Sequence, residues 1–334
     1  MSYRPLLLMI FTALPIFFFT ACTQEEVVTE TVTRATAAPE KTYTEIPLTP
    51  PDTEALAYNP ADNTLTLISR KEASYTAFTL KKNGTWAPQP SRWKIKQGYF
   101  LDNFVYGADG RFYACLKHYT KKGYTRQALV RLKGRGKIQT VHLKGLNQVP
   151  STRLDSSIKK RGGAATHNIT DIKFCGTALA ITYSNYAVKF YNIEEGEALG
   201  ASSITGQAGQ NIFYDYGYLS ESLWDNRKPL SFSLYDIRSG ELRRTISLDA
   251  SSDAFSTREF YLSNVQDKFY LLTKGGLYIC SPNAGSFQLA ENFNALGISE
   301  KNRILYFQAA KKRIFYILHQ DADAKLHLTR FSLS

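Results

Sequence analysis

Residues 190–199, FYNIEEGEAL, and residues 234–242, LYDIRSGEL, decide the fold. In each, an apolar residue is followed six positions later by glycine: Phe190 to Gly196, and Leu234 to Gly240. The residues before the glycine read as the end of a strand, and those after it (EALGASSI, ELRRTISL) as the start of the next. Glycine supplies a positive φ in the tight turn between them, where a Cβ would clash. Three more segments share the pattern: FTLKKNG (Phe78 to Gly84), VRLKGRG (Val130 to Gly136) and ICSPNAG (Ile279 to Gly285). Along the chain the five glycines are separated by 52, 60, 44 and 45 residues.

Around these turns lie short alternating or apolar runs, among them TLTLIS, RFYACL, QALVRL, ALAITY, KFYLLT, RIFYIL and LHLTRFSL. Each has the length and composition of a strand, and no helix is predicted after residue 43. The abundance of Tyr and Phe with only two Met agrees with β-structure. About four strands per period near 45 residues is the signature of a β-propeller blade. LYDIRSGEL and FYNIEEGEAL resemble the hairpin between third and fourth strands of WD40-like and quinoprotein-like propellers, where an aromatic-Asp-x-x-x-Gly turn recurs. The resemblance covers the architecture of residues 43–334 and names no functional family.

The ends set the blade count. The last strands run to Ser334, where a sixth turn would begin, so the last blade lacks its outer strand. TYTEIPL (42–48) has strand composition and no partner of its own, and is predicted to pair beside the final strands and close the ring. The expectation is an all-β, six-bladed propeller with blades near 50–97, 98–146, 165–207, 208–250, 257–292 and 293–334 with 42–48. Seven blades is the alternative, if 144–167 holds an extra piece.

The net charge of +12 is concentrated. Residues 111–163 hold fourteen Lys or Arg and one acid, Asp155, so the rest of the chain is nearly neutral. In a propeller, the loops between second and third strands and the links between blades open on one rim, which in propellers generally carries most ligand sites. That places HYTKKGYTR (118–126) and the irregular stretch 144–167 there, a length that points to function or disorder. Lys121, Lys122, Arg126, Lys144, Arg153, Lys159, Lys160 and Arg161 are thus expected in one sector, with LKGRGK (132–137) facing the other way. Such a field attracts anions. Trp224, in the rim loop 220–231 beside Asp225 and Arg227, suits sugar stacking or a protein contact.

No P-loop, Gly-x-Ser-x-Gly or His-Glu-x-x-His is present, so no catalytic residue, metal site or cofactor is assigned. HQDADAK (319–325) lacks the Gly and distal Glu of an EF-hand loop and reads as an ordinary turn. Cys115, Cys175 and Cys280 sit in apolar runs and match no metal spacing. They read as buried thiols, with a Cys115–Cys175 disulfide left open.

The amino terminus carries an address. Arg4 precedes an apolar run from Leu6 to Thr20, short of the roughly twenty residues a spanning helix needs. Phe19-Thr20-Ala21-Cys22 resembles the lipobox of bacterial lipoproteins, although Phe19 stands where Leu is usual. The resemblance implies a signal peptide over 1–21 and a diacylated (palmitate-bearing) Cys22. Residues 22–41, rich in Thr, Glu and Ala, would be a disordered tether before a propeller domain at 42–334. The sequence therefore predicts a monomeric, extracytoplasmic lipoprotein on a bacterial membrane. Its basic rim would bind an anionic envelope polymer or a protein partner, and no intracellular nucleic acid. The alternative is a propeller lyase or hydrolase acting on acidic glycans.

Overall fold

Period-two alternation places successive side chains on opposite faces, and the chain folds accordingly into consecutive antiparallel meanders. The computed structural model describes residues 43–50, 52–119, 125–161, 167–200, 203–221, 230–248 and 259–333. Residues 1–42, on which the expected signal peptide, Cys22 lipidation and tether fall, lie outside the described residues.

Strand β1 (Tyr43–Ile46) does not pair with the strand next to it in the chain. The first meander is β2 (Thr53–Asn59), β3 (Thr64–Lys71), β4 (Ser74–Leu80) and β5 (Trp86–Lys94). The second is β6 (Tyr99–Tyr106), β7 (Phe112–Tyr119), β8 (Thr125–Leu132) and β9 (Ile138–Val141). The third is β10 (Ile169–Cys175), β11 (Ala178–Tyr183), β12 (Val188–Asn192) and β13 (Ala198–Leu199). Then come β14 (Asn211–Tyr214), β15 (Gly217–Glu221), β16 (Ser231–Asp236) and β17 (Leu242–Leu248). They are followed by β18 (Phe260–Val265), β19 (Lys268–Thr273), β20 (Gly276–Cys280) and β21 (Ser286–Asn292). The last strands are β22 (Arg303–Ala310), β23 (Ile314–Gln320) and β24 (Leu326–Ser332).

β1 completes the last sheet. It pairs antiparallel with β24, Tyr43 opposite Phe331 and Ile46 opposite Leu328, giving the order β1-β24-β23-β22. Ile46 is buried, and Trp86 Nε1 of β5 donates to Pro47 O at 2.8 Å, so the segment is held from both neighbouring sheets.

The cores lie between sheets. Tyr75 and Trp93 of the first sheet pack with Phe104 and Phe112 of the second. Leu65 and Leu67 of the first pack with Leu318 and Leu328 of the last. The first strands lie side by side as neighbours, β2 on β6, β6 on β10, β10 on β14, β14 on β18, β18 on β22, and β22 on β2. Second strands are covered on both faces, which is why β11 is buried from Ala178 to Tyr183 and reads as one apolar run. Four of the five turn glycines behave as their spacing implies: Gly84, Gly136, Gly196 and Gly240 all take φ between 73° and 80°. Gly285 does not take a positive φ, so the pattern's reading fails at that turn. A Cβ at Gly196 would stand 2.4 Å from His142 O, so chain packing as well as φ requires glycine there.

Two expectations are corrected. Four sheets have four strands, but β14–β17 and β18–β21 join into one eight-stranded sheet. Ser247 and Leu248 of β17 pair in parallel with Ser286 and Phe287 of β21. Outer strands of neighbouring meanders run in the same sense, so where their open edges meet only parallel pairing is available. Secondly, residues 153–160 form a helix, α1 (Arg153–Lys160), where no helix was expected. Among the described residues, 144–167 holds no sheet of its own.

Candidate functional site

Antiparallel order gives every sheet two ends. At one end, the upper rim, lie the turns between second and third strands; at the other, the lower rim, lie those between third and fourth. Gln127, at the start of β8, fixes the upper ends of the second and third sheets together. Its Oε1 accepts Ile169 N at 2.5 Å and its Nε2 donates to His167 O at 2.8 Å.

Helix α1 is docked on that rim by one buried acid. Asp155 is 1% exposed. Its Oδ2 accepts Thr152 N at 2.8 Å and Asn185 Nδ2 at 2.7 Å, and its Oδ1 lies 3.0 Å from His167 Nε2. Asn185 belongs to the β11–β12 turn; its Nδ2 also donates to Pro150 O, and its carbonyl accepts Thr152 Oγ1 at 2.7 Å. Burial alone would raise the Asp155 carboxyl, but hydrogen bonds from Asn185, Thr152 N–H and His167 outweigh it and hold it down at about 2. The sole acid of the basic stretch thus faces inward as an anchor. Arg153, Lys159, Lys160 and Arg161 remain exposed, and none pairs with a carboxylate among the described residues. Lys159 and Lys160 also fall in the last turn, where cations suit the helix dipole.

The remaining predicted residues divide. Arg126 is exposed beside Gln127 and shares the upper rim with α1. Lys144 does not: its N–H donates to Gly196 O in the β12–β13 turn, and its Nζ lies 3.5 Å from Glu197. That turn and the β11–β12 turn holding α1 are separated by β12, five residues or about 16 Å. Lys144 therefore leaves the sector, because the chain enters 144–150 at the lower rim and climbs the outside of the third sheet. Lys189 Nζ holds the climb through Gly145 O at 2.6 Å. The turn within 132–137 lies between β8 and β9 on the lower rim, as expected. Lys121, Lys122 and Trp224 lie outside the described residues. The signal for α1 was present as Thr152-x-x-Asp155, the spacing of an N-terminal capping pair. What it lacked was a following apolar run.

The first strands enclose a central cavity of about 800 Å³, lined among others by Glu54, Asn103, Asp171 and Lys173. These groups are engaged. Asp171 accepts Ile172 N at 2.9 Å and Gly209 N at 3.3 Å. Lys173 donates to Asn211 O, and burial lowers its amine despite the Asp171 carboxylate 3.9 Å away. Glu54 lies 3.7 Å from Arg70. Lys117 does the same stitching from the second sheet, with Asp102 at 2.5 Å and Ile169 O at 2.6 Å. Asp171 and Lys173 thus tie the third sheet to the fourth meander and Lys117 ties the second sheet to the third, while the Glu54–Arg70 pair lies within the first sheet. Among the described residues no three His, Cys, Asp or Glu side chains converge as a metal site.

The HQDADAK segment is a turn in which Asp321 Oδ1 accepts Asp323 N and Lys325 N. Cys115, Cys175 and Cys280 are free thiols, so the Cys115–Cys175 disulfide is not formed.

Closed packing of meanders about a central cavity makes this chain a β-propeller. It is similar to the soluble aldose sugar dehydrogenase of Escherichia coli in its apo form, with 11% identity, 88% of this chain and 100% of that chain covered, and a TM-score of 0.52. It is also similar to BamB of Moraxella catarrhalis, with 10% identity, 83% and 84% covered, and a TM-score of 0.45. No family model and no curated protein matches the sequence. At these identities the likeness is one of fold.

Proposed function

We propose that this chain is an extracytoplasmic lipoprotein, held on a bacterial membrane through Cys22, whose propeller presents a basic rim to an anionic envelope polymer or a protein partner. The observation that carries the reading is the docking of α1. Asp155 is buried on the inner face of the helix while Arg153, Lys159, Lys160 and Arg161 stay exposed, with Arg126 on the same rim. A cluster of one sign without local compensation creates a field that draws polyanions and weakens with salt. On this reading the ring has six blades, with β1 as outer strand of the last. Its support is the succession of inner strands from β2 round to β22 and back, and the shortness of the β17–β21 pairing, two residue pairs.

The test is binding of the full chain in detergent to an anionic polymer across a salt series. Affinity is expected to fall steeply with ionic strength, and the reversal R153E/K159E/K160E/R161E to abolish it. These side chains are exposed, so the fold should survive. Binding insensitive to both salt and reversal would overturn the reading.

A further inference from the structure

The upper rim carries an aromatic group as well as charge. Tyr186 sits in the β11–β12 turn with φ of 68°, a left-handed conformation that bulky side chains rarely adopt. Its backbone is fastened on every side. Tyr186 N donates to Tyr183 O at 2.8 Å, and Tyr186 O accepts Gly206 N at 2.9 Å. The preceding Asn185 is 1% exposed and bonded to the α1 anchor, Asp155, and to Pro150. Yet the Tyr186 side chain is 40% exposed. On the lower rim Tyr216, also left-handed at φ 52° and 39% exposed, has its ring covered by the Arg238 guanidinium at 4.8 Å. No cation covers Tyr186 among the described residues. Tyr119, 64% exposed at the end of β7, adds a second aromatic on the same rim.

An exposed, uncovered aromatic on a pinned left-handed backbone, one residue from the Asn185 that anchors a helix of cations without carboxylate partners among the described residues, is an arrangement that folding alone does not require. Resting on the basic-rim reading, we infer that its ligand is an acidic polysaccharide, whose pyranose faces stack on Tyr186 while its carboxylates reach the side chains of α1. The cations are spread along a helix of eight residues, about 12 Å, so they suit a polymer with repeated charges better than a single anion. An acidic peptide would satisfy the cations, but its carboxylate side chains present no flat apolar face to the phenol ring. A sugar ring offers a flat apolar face and a charge together.

The experiment compares polygalacturonate with polyglutamate, a polyanion without sugar rings, on the full chain in detergent. Tyr186→Gly removes the ring and suits the positive φ, so its Tm should be unchanged or higher. It is expected to weaken polygalacturonate binding about three- to tenfold, leaving polyglutamate binding unchanged. Tyr186→Phe keeps the ring and should retain polygalacturonate binding, which separates a lost contact from a damaged turn. Equal affinity of Tyr186→Gly and wild type for polygalacturonate, an equal loss for both polymers, or no wild-type binding to polygalacturonate overturns the glycan inference. If R153E/K159E/K160E/R161E still abolishes polyglutamate binding, the basic rim stands and only the glycan is lost. If that reversal changes neither polymer, both readings fall.

Discussion

Replacing Asp155 with alanine should detach helix α1 from the propeller while leaving the propeller folded. The carboxylate accepts bonds from Thr152 N, Asn185 Nδ2 and His167 Nε2, all at 3.0 Å or less and beneath a helix that exposes its other face. Its carboxyl lies at about 2, against about 3.9 in an unfolded chain. Converted by linkage, that difference is worth about 2–3 kcal/mol at neutral pH. Truncation also removes the acceptor of the partly buried Thr152 N–H and one of the two acceptors of Asn185 Nδ2, an effect of similar order. Opening of the 152–161 segment should therefore rise about 30- to 150-fold, read as lost hydrogen-exchange protection in its peptides. The sheets contribute their own cores, so protection of β11 and β19 should persist. Because the folded value is depressed, the contribution is present above about pH 4 and vanishes as pH falls through about 2. Acid should thus reproduce the variant's behaviour in the wild type. If Asp155→Ala leaves protection of 152–161 unchanged at pH 7, the anchoring argument is wrong.

Other outcomes concern the seam and the thiols. Ile46→Ala should cost about 2–4 kcal/mol in denaturant unfolding, since Ile46 is 3% exposed in the closing strand; a cost under about 0.5 would mean that β1 contributes little to the ring. His327 bridges Glu45 of β1 at 2.7 Å and Asp321 of the β23–β24 turn at 2.9 Å, and these two carboxylates raise its imidazole above the usual value. A raised folded value contributes stability below about pH 6.5 that is lost as pH rises through it. The stability gap between wild type and His327→Gln should accordingly shrink from pH 5.5 to pH 8.5, and a gap that widens would refute the bridge. Burial pushes the Cys115 thiol far up and Cys280 up to about 11, so iodoacetamide on the native protein should label Cys175, the partly exposed one, first in peptide mass spectrometry.

What the sequence determined by itself is local and periodic. Gly84, Gly136, Gly196 and Gly240 mark their turns because backbone φ is set within a few residues. The strands are legible because alternation is a property of neighbours, and TYTEIPL announces a strand that needs an edge. Tertiary structure decided what depends on contacts across long separations. The cluster of eight cations was legible as charge, but its division was not: Lys144 is drawn to Glu197 at one rim, and α1 to Asn185 at the other. Asp155 reads in sequence as one acid among many bases, and becomes an anchor only because the β11–β12 turn brings Asn185 to it from 30 residues away. The bridge from His327 to Glu45 spans 282 residues, a distance no local pattern encodes. Tyr186 was one tyrosine among twenty-one; its pinned left-handed backbone, its exposure and its place next to Asn185, the helix's anchor partner, set it apart.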